Sequence, residues 1–540
     1  MYVSMSNIPI VVAALAVGAV SACILTFVLT TIQFHLDVWR QHKQEPKPGE
    51  RPVAITVPLK PHALPVLGST TFGFFSKKIG RMWNVLLQEC ARWDLKAISV
   101  LLAGTRTHIL FKPASILSEF REKKLTRQKQ ARLLATNVLG MTYEQAVRTF
   151  PDPPPDPKTQ VTLERVHAEF LLTPVPTTTM TNKFMECFLD SISKQDDSAE
   201  VSLYAWIKEK LFEASVIALF GSELLRMYPD LHRDFWVWER NLMTLLFGTP
   251  KFLARDAFEA RENMLDKLES WLAHGYKHTS ERDDAVEWEP YFGAKVMRKR
   301  HEYYQQQGLT LRSQAGKEMI FLAGILSNAI PTIGWLLTHL FSPTSPPDLL
   351  PKITEEVKRC QDPASGALDI AALTRLPLLN STANEVLRLY MDLLIIRQVD
   401  SDAVLDNIPV RRGEQTMASS WMAHRHPDNF PHPDRFQPER FLRKDAEKGT
   451  VSCSISGLGG KYFPFGGGHH MCPGRNFARQ EIVGTVAVIL LNFDVEFVSF
   501  VDANGTPCAE FPKMIDALPG NQVMGLKGDT RVRITKKRKN

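Results

Sequence analysis

The sequence predicts a mainly α-helical protein whose first helix crosses a membrane. Residues 8–32 contain no charged side chain, and about 20 consecutive apolar residues are enough to cross a bilayer. Residues 79–92 and 201–220 place apolar side chains at the spacing of one helix face. Residues 319–335 form a second long apolar run, which is typical of a helix buried on nearly all sides.

The composition is that of a large folded protein in a reducing environment. Its 540 residues are 44% hydrophobic and carry a net charge of +7. These values allow a sizeable core and indicate no strongly basic surface for nucleic acid. The seven cysteines are scattered, odd in number and never spaced as Cys-x-x-Cys. This usage argues against a disulfide framework and favours a domain that faces the cytosol.

The N-terminal segment 1–36 is predicted to be an uncleaved signal anchor that spans the membrane at about residues 8–32. A cleaved signal peptide has a basic start and a shorter apolar core, whereas the first seven residues here are uncharged. Basic residues such as Arg40, Lys43 and Arg51 follow the apolar segment. The positive-inside rule therefore places the rest of this single-pass protein in the cytosol.

Three further segments follow the anchor. Residues 37–68 contain six prolines, which interrupt regular structure and predict a stiff hinge. No long linker or internal repeat divides residues 69–535, so we expect one large domain there. Residues 536–540 form a basic tail, which is either solvated or attracted to an anionic membrane surface.

A glycine-rich loop at residues 463–474 contains the cysteine with the clearest chemical role. Cys472 directly precedes a predicted helix, whose dipole and free N–H groups favour the thiolate that binds metal. The glycines are expected to let the backbone close around the sulfur, and a flat cofactor could lie over Phe465. Two alternatives remain: a buried structural cysteine, and a zinc site of His469, His470 and Cys472 that lacks a fourth ligand.

A second pattern lies upstream, at Glu385 and Arg388. Side chains three residues apart share one helix face and can pair, although such pairs are common on solvated helices. The pattern gains weight from the loop that follows it. Together, this Glu-x-x-Arg and the spacing Phe-x-x-Gly-x-x-x-Cys-x-Gly at residues 465–474 resemble the signatures of the cytochrome P450 family.

The resemblance implies a fold, a cofactor and its partners. The fold would be a mostly helical prism with a few small β-sheets, and the cofactor would be haem b, whose iron is held by the Cys472 thiolate. The substrate would be a hydrophobic small molecule, and electrons would come from NADPH through a separate cytochrome P450 reductase at the endoplasmic reticulum membrane. Arg475 and Arg479, which lie just after the cysteine, are expected to dock that reductase.

The same resemblance implies further site residues. Arg440 would join Glu385 and Arg388 in a buried structural network, and Arg397 and His470 would bind the haem propionates.

One element of the family pattern has no match in its expected place. The family's early Trp-x-x-x-Arg is missing from residues 161–172, where Arg165 and His167 are candidate substitutes. Trp236 and Arg240 have the right spacing, but they lie too close to the central helix, and we interpret that match as coincidence.

The apolar run around residue 327 resembles the family helix that crosses the open face of the haem. The family usually has an acid followed by threonine there, as a proton relay, whereas this chain has Ser327 and Asn328. The replacement resembles the branch that contains sterol 7α-hydroxylase and prostacyclin synthase. Asn328 could also satisfy a helix break, since Pro331 is expected to bend this helix. The resemblance implies a pocket lined by Ile325, Leu326, Ala329, Leu394 and Ile395.

These observations favour a membrane-anchored monooxygenase that acts on a sterol, terpenoid or polyketide type of substrate. A second hypothesis is a haem-thiolate isomerase or dehydratase that works without NADPH, because such an enzyme needs no proton relay to dioxygen. A third is a haem-binding sensor or carrier without turnover.

Overall fold

A computed structural model describes residues 8–44, 54–64, 86, 88, 91–102, 104–152, 162–278, 285–445, 447, 449–515, 520 and 522–537. Most of the predicted helix at 79–92, part of the predicted hinge at 37–68 and the end of the basic tail lie outside these ranges.

Helices make up most of the described chain, which confirms the predicted fold class. In chain order they are α1 Ile8–Lys43, α2 Pro113–Arg121, α3 Gln128–Asn137, α4 Tyr143–Thr149, α5 Leu163–Leu171, α6 Pro174–Ser193, α7 Leu203–Phe220, α8 Ser222–Met227, α9 Leu231–Arg240, α10 Leu242–Leu246, α11 Arg255–His278, α12 Lys295–Gln306, α13 Leu311–Phe341, α14 Leu349–Lys358, α15 Ile370–Leu373, α16 Pro377–Tyr390, α17 Ser420–Arg425 and α18 Arg475–Asn492. Short 3₁₀ segments cover Lys251–Leu253 and Gly468–His470.

The strands are short and form small sheets. They are β1 Ala97–Leu102, β2 Thr105–Leu110, β3 Leu125–Thr126, β4 Ser198–Ser202, β5 Trp288–Glu289, β6 Gly293–Ala294, β7 Leu394–Val399, β8 Ala403–Leu405, β9 Ile408–Val410, β10 Gln415–Ser419, β11 Leu442–Lys444, β12 Val451–Cys453, β13 Phe493–Val501, β14 Pro507–Cys508, β15 Lys513–Met514, β16 Leu526–Lys527 and β17 Asp529–Lys536. One sheet has the order β1-β2-β10-β7-β3 and another the order β14-β13-β17-β4, and the remaining strands pair in twos.

Helix α1 extends beyond the predicted anchor and packs on the domain. Its apolar N-terminal part is exposed, with a stretch long and apolar enough to cross a membrane by length and composition. Phe34 and Val38 are buried against the β1-β2-β10 region, near Met417 and Trp421. The helix ends at Lys43, so the first residues of the predicted hinge are helical and continuous with the anchor.

Helix α13 is the central element of the core. It also has the length and hydropathy of a membrane span, but 72% of its most apolar stretch is buried inside the domain. It packs against α7, α11, α16 and α18. The helix continues through Pro331, although proline removes the N–H that would bond to the Ser327 carbonyl. Next to it, the Thr332 hydroxyl donates to the Asn328 carbonyl at 2.7 Å.

Candidate cofactor site

The loop before α18 is closed by its own backbone. The Cys472 N–H donates to the Phe465 carbonyl at 2.9 Å, and the Gly466 N–H donates to the Phe463 carbonyl at 3.0 Å. Gly466 has φ +75°, a conformation that L side chains rarely adopt. These bonds hold Phe465 and Cys472 side by side at the start of α18.

The glycine run serves a different contact from the one expected. An ideal Cβ at Gly468 would lie 2.0 Å from the Phe120 carbonyl oxygen, and one at Gly467 would lie 2.1 Å from the Phe120 ring. Around the sulfur there is ordinary room, because a Cβ at Gly474 would lie 3.9 Å from Cys472 Sγ. The glycines therefore let the loop pack against α2. The backbone hydrogen bond from the Cys472 N–H to the Phe465 carbonyl closes the loop.

Cys472 has the environment of a ligand that is open on one side. The residue is exposed, while the protein around the sulfur raises the pKa of the thiol by desolvation. The N–H groups of Gly474 and Arg475 and the charge of Arg475 act in the opposite direction on that pKa. Arg475 also donates to the Cys472 carbonyl at 2.9 Å. A metal ion at this sulfur would displace the thiol proton.

Three basic groups lie near one another beside this loop. Burial, and then the charges of Arg127 and Arg397, lower the pKa of His470 to about 4. Arg127 also lowers the pKa of Arg397, after the larger effect of burial. Arg127 is paired with Glu164 at 3.3 Å. Groups of like charge repel each other, so an anionic ligand here would relieve that repulsion.

Sequence reasoning missed Arg127 because its position depends on strand pairing. Thr126 of β3 is opposite Gln398 of β7, and this register puts Arg127 beside Arg397. The two arginines are far apart in sequence, and no local spacing predicts their proximity.

These residues fit a haem group. Cys472 offers a sulfur ligand at a helix N-terminus, and Arg127, Arg397 and His470 offer a basic site for carboxylates. Phe465 lies next to the sulfur ligand and also stacks under Arg479, whose guanidinium carbon is 5.3 Å from the ring centre. No three His, Cys, Asp or Glu side chains in the described ranges are grouped as metal ligands, so the alternative zinc set of His469, His470 and Cys472 does not form.

The middle of helix α13 is accessible at Phe321, Gly324, Ile325 and Asn328. Their spacing of three and four residues places them in one row along the helix. No described atom lies within 4 Å of an ideal Cβ at Gly324, so the helix borders open space there. The predicted pocket residues divide accordingly: Ile325 lies on this face, whereas Leu326 and Ala329 are buried in the core, at 0% and 3% exposure.

Ser327 and Asn328 are not arranged as a relay pair. Asn328 Oδ1 accepts a hydrogen bond from the Val523 N–H at 3.2 Å. Ser327 Oγ is buried and makes no hydrogen bond within the described part of the chain. The amide of Asn328 thus holds residues 522–524, where Met524 is also bound, through its carbonyl, to the Trp335 indole at 2.6 Å.

The two predicted pocket residues of β7 point in opposite directions. An ideal Cβ at Gly520 would lie 2.4 Å from Leu394 Cβ, which puts Leu394 against the C-terminal loop. Ile395 is 5% exposed and belongs to a cluster with Phe463. Successive side chains of a strand alternate between faces, so at most one of the two can line a given cavity.

Glu385, Arg388 and Arg440 meet in a buried ionic network. Arg388 donates through Nε and an η nitrogen to the two Glu385 oxygens at 2.7 and 2.8 Å. Arg440 Nε donates to Glu385 Oε2 at 3.0 Å. Glu385 and Arg388 are both 0% exposed.

His424 connects this network to the cysteine loop. Arg388 donates to the His424 carbonyl at 2.9 Å, and the Phe463 N–H donates to His424 Nε2 at 3.0 Å. Burial and the charges of Arg388 and Arg425 lower the pKa of His424 well below its usual value. The neutral ring is therefore an acceptor for the loop backbone, a role that the sequence did not indicate.

The two proposed substitutes for the missing Trp-x-x-x-Arg have different surroundings. Arg165 is exposed. His167 is hydrogen-bonded to Arg300 and stacked on Phe321 with ring centres 5.7 Å apart. Trp236 is buried in the core.

Comparison with known proteins agrees with this geometry. A family model described as "Cytochrome P450" matches residues 155–513. A cytochrome P450 monooxygenase, efuG, of Hormonema carpetanum is 30% identical over 334 residues, or 55% of this chain and 59% of that protein. The monooxygenase calL of Penicillium decumbens is 27% identical, over 63% of this chain and 65% of its own length.

A sterol enzyme is also among the relatives. The cholesterol 7-alpha-monooxygenase of Cricetulus griseus is 29% identical over 57% of this chain and 62% of its own length. The matched part therefore spans less than two thirds of each of these relatives. The family match covers well over half of this chain and includes the Cys472 loop, and the protein belongs to the cytochrome P450 family.

Proposed function

We propose that this protein is a membrane-anchored haem-thiolate monooxygenase that oxidises a hydrophobic small molecule. The observation that carries the proposal is the closed loop that presents Cys472 at the N-terminus of α18, beside the basic group of Arg127, Arg397 and His470. The names of the relatives support oxygen insertion as the reaction type.

The side chains have separate tasks in this proposal. Haem bound at Cys472 would supply dioxygen activation, with two electrons from NADPH through a reductase. Cys472 would hold the iron, and Arg397, His470 and Arg127 would hold the carboxylates. Glu385, Arg388 and Arg440 would keep the loop in place through His424. Arg479 is exposed and would contact the reductase, whereas Arg475 is bonded to the loop.

An apolar substrate suits the accessible face of α13. Ile325 offers hydrocarbon surface and Gly324 borders open space, and binding there would exclude water from the site. A sterol, terpenoid or polyketide type of molecule has this character. Helix α1 would hold the protein in the endoplasmic reticulum membrane, with the domain in the cytosol and its substrate drawn from the lipid phase.

A haem-thiolate isomerase or dehydratase is the second candidate, and Asn328 favours it. Asn328 Oδ1 is bonded to the Val523 N–H, and Ser327 Oγ is buried without a partner in the described chain. No hydrogen bond joins these two side chains to each other in the described chain, and a rearrangement of an already oxygenated substrate would need no proton relay.

Product mass under ¹⁸O₂ separates the candidates. Membranes that contain this protein and its reductase are given sterol, terpenoid and polyketide extracts, with and without NADPH. We expect a product with one labelled oxygen atom, formed only with NADPH. An unlabelled product that forms without NADPH would establish the isomerase or dehydratase, and haem binding without any product would favour the sensor or carrier.

A further inference from the structure

A buried acid lies behind the arginine that is proposed to bind a haem carboxylate. Glu119 of α2 is 2% exposed. The Thr416 hydroxyl, itself 0% exposed, donates to Glu119 Oε1 at 2.6 Å. Thr416 of β10 is the direct partner of Arg397 in β7, and opposite residues of neighbouring strands point to the same face of the sheet. Glu119, Thr416 and Arg397 therefore form one cluster.

One carboxyl oxygen in this cluster lacks a hydrogen bond. Glu119 Oε2 is buried and has no hydrogen-bond partner among the described residues. The positive charge of Arg397 acts on the Glu119 carboxyl, and Glu119 acts in return on Arg397. A buried carboxyl oxygen without a partner is costly, and the nearby charge of Arg397 offsets part of that cost.

The charge state of Glu119 leaves Arg397 able to bind an anion. Burial raises the pKa of Glu119 to about 7, while the Thr416 hydrogen bond and the Arg397 charge lower it. Near neutral pH the carboxyl is thus only partly ionised and does not fully neutralise Arg397. His470 and Arg127 are basic and supply no negative charge that would neutralise Arg397. A haem carboxylate beside Arg397 would raise the pKa of Glu119 further and so favour its protonated form.

We propose that Glu119 is a positioning residue: together with Thr416, it fixes the Arg397 guanidinium so that Arg397 faces a haem carboxylate. The inference rests on the haem binding in the proposed function and is independent of the reaction that follows. Failure of the wild-type protein to take up haem would refute the proposed function, whereas the variants below test Glu119 itself.

Haem transfer to apomyoglobin from the haem-loaded full chain measures the role of Glu119. Glu119→Ala should release haem about tenfold faster, because Thr416 loses its acceptor and Arg397 loses the nearby carboxyl. Glu119→Gln keeps an oxygen acceptor for Thr416 and should stay within about twofold of the wild type. In an Arg397→Ala background, Glu119→Ala should cause no further acceleration, because the two residues act through one interaction.

The ferric/ferrous midpoint potential of the bound haem is a second readout. A loss of packing alone would not produce the change in potential described next. Glu119→Ala should lower the potential, because a displaced Arg397 neutralises the haem carboxylate less well, and the shift should vanish when Arg397 is already alanine. Glu122→Ala is the matched control, since this half-buried acid follows the same helix and accepts from the Lys124 N–H at 3.0 Å.

Equal acceleration by Glu119→Ala in both backgrounds would overturn the proposal, because Glu119 would then act through packing alone. Haem loss from Glu119→Gln as fast as from Glu119→Ala would also overturn it. If Glu119→Ala does not fold, Thr416→Val replaces it, with the same direction expected and the same dependence on Arg397.

Discussion

At the scale of single residues, two buried acids near the Cys472 loop differ in the contacts that surround them. Glu385 accepts from two arginines and from the Gln437 N–H at 3.0 Å, so its charge is fully paired. Glu481 of α18 is also 1% exposed, but the Ser215 hydroxyl at 3.1 Å supplies its hydrogen bond. Two guanidinium groups surround the first acid, whereas burial raises the pKa of the second.

Replacing Glu385 by alanine should strand two buried guanidinium groups. Breaking one partner out of a buried ion pair costs roughly 3–5 kcal/mol, so we expect little haem-loaded protein from Glu385→Ala. Denaturant unfolding and haem content measure the effect. Glu144→Ala is the control, because Glu144 and its partner Arg148 are both exposed and such surface pairs are worth about 0–1 kcal/mol. An equal loss in both variants would contradict the assigned role.

Glu481 should make stability fall as the pH rises. Burial raises its pKa from 4.5 to about 8, with a smaller opposing effect from Ser215. Between these two pH values the folded chain retains a proton that the unfolded chain releases, so the free energy of unfolding decreases with pH. Glu481→Gln should flatten this dependence in unfolding titrations, whereas Glu209→Gln, an exposed site on α7, should leave it intact. Identical pH profiles for wild type and Glu481→Gln would rule the idea out.

At the scale of elements, the sequence predicts those features that depend on the spacing of residues close together in the chain. The helix over residues 319–335, the cysteine loop followed by α18, and the shared helix face of Glu385 and Arg388 could all be predicted from neighbours in sequence. Glu119 and Arg127 could not, because the pairing of β3 with β7 brings Arg127 to Arg397, and Glu119 reaches Arg397 through its hydrogen bond with Thr416 of β10. A catalytic role for Asn328 stays a prediction from the sequence, whereas its hydrogen bond to Val523, 195 residues away, could not be predicted from any spacing.

The Asn328 side chain should govern the order of residues 522–524. Asn328→Ala leaves the Val523 N–H without its acceptor, at a cost of about 1–3 kcal/mol if the group stays buried. We expect faster hydrogen exchange in that segment and a lower unfolding midpoint, while Asn328→Asp, which keeps an acceptor oxygen, should protect it. Unchanged exchange in Asn328→Ala would show that Trp335 and the neighbouring backbone hold the loop alone.

At the scale of the whole molecule, helix α1, which is the predicted anchor, packs on the domain. Helix α1 passes from its exposed apolar part into a packed contact at Phe34 and Val38 without a break. In the proposed membrane-anchored protein, this contact would set the orientation of the domain against the membrane.

Two truncations should separate the functions of α1. Removal of residues 1–29 takes away most of the exposed apolar part, keeps the Thr30 hydroxyl that is bonded to the His62 backbone, and should release the protein from membranes with its stability nearly unchanged. Removal of residues 1–43 also uncovers the contact of Phe34 and Val38, worth about 1.5–3 kcal/mol for each buried side chain. Membrane sedimentation and thermal unfolding measure both effects, and equal stability of the two truncations would contradict the packed contact.

The central claim is that Cys472 binds haem iron as a thiolate. The most direct measurement is the absorption spectrum of the reduced protein with carbon monoxide, compared between the wild type and Cys472→Ser. We predict the red-shifted Soret band of a thiolate-ligated carbonyl complex in the wild type and its loss in the variant. A wild-type spectrum without that band, or a Cys472→Ser variant that retains it, would contradict the account.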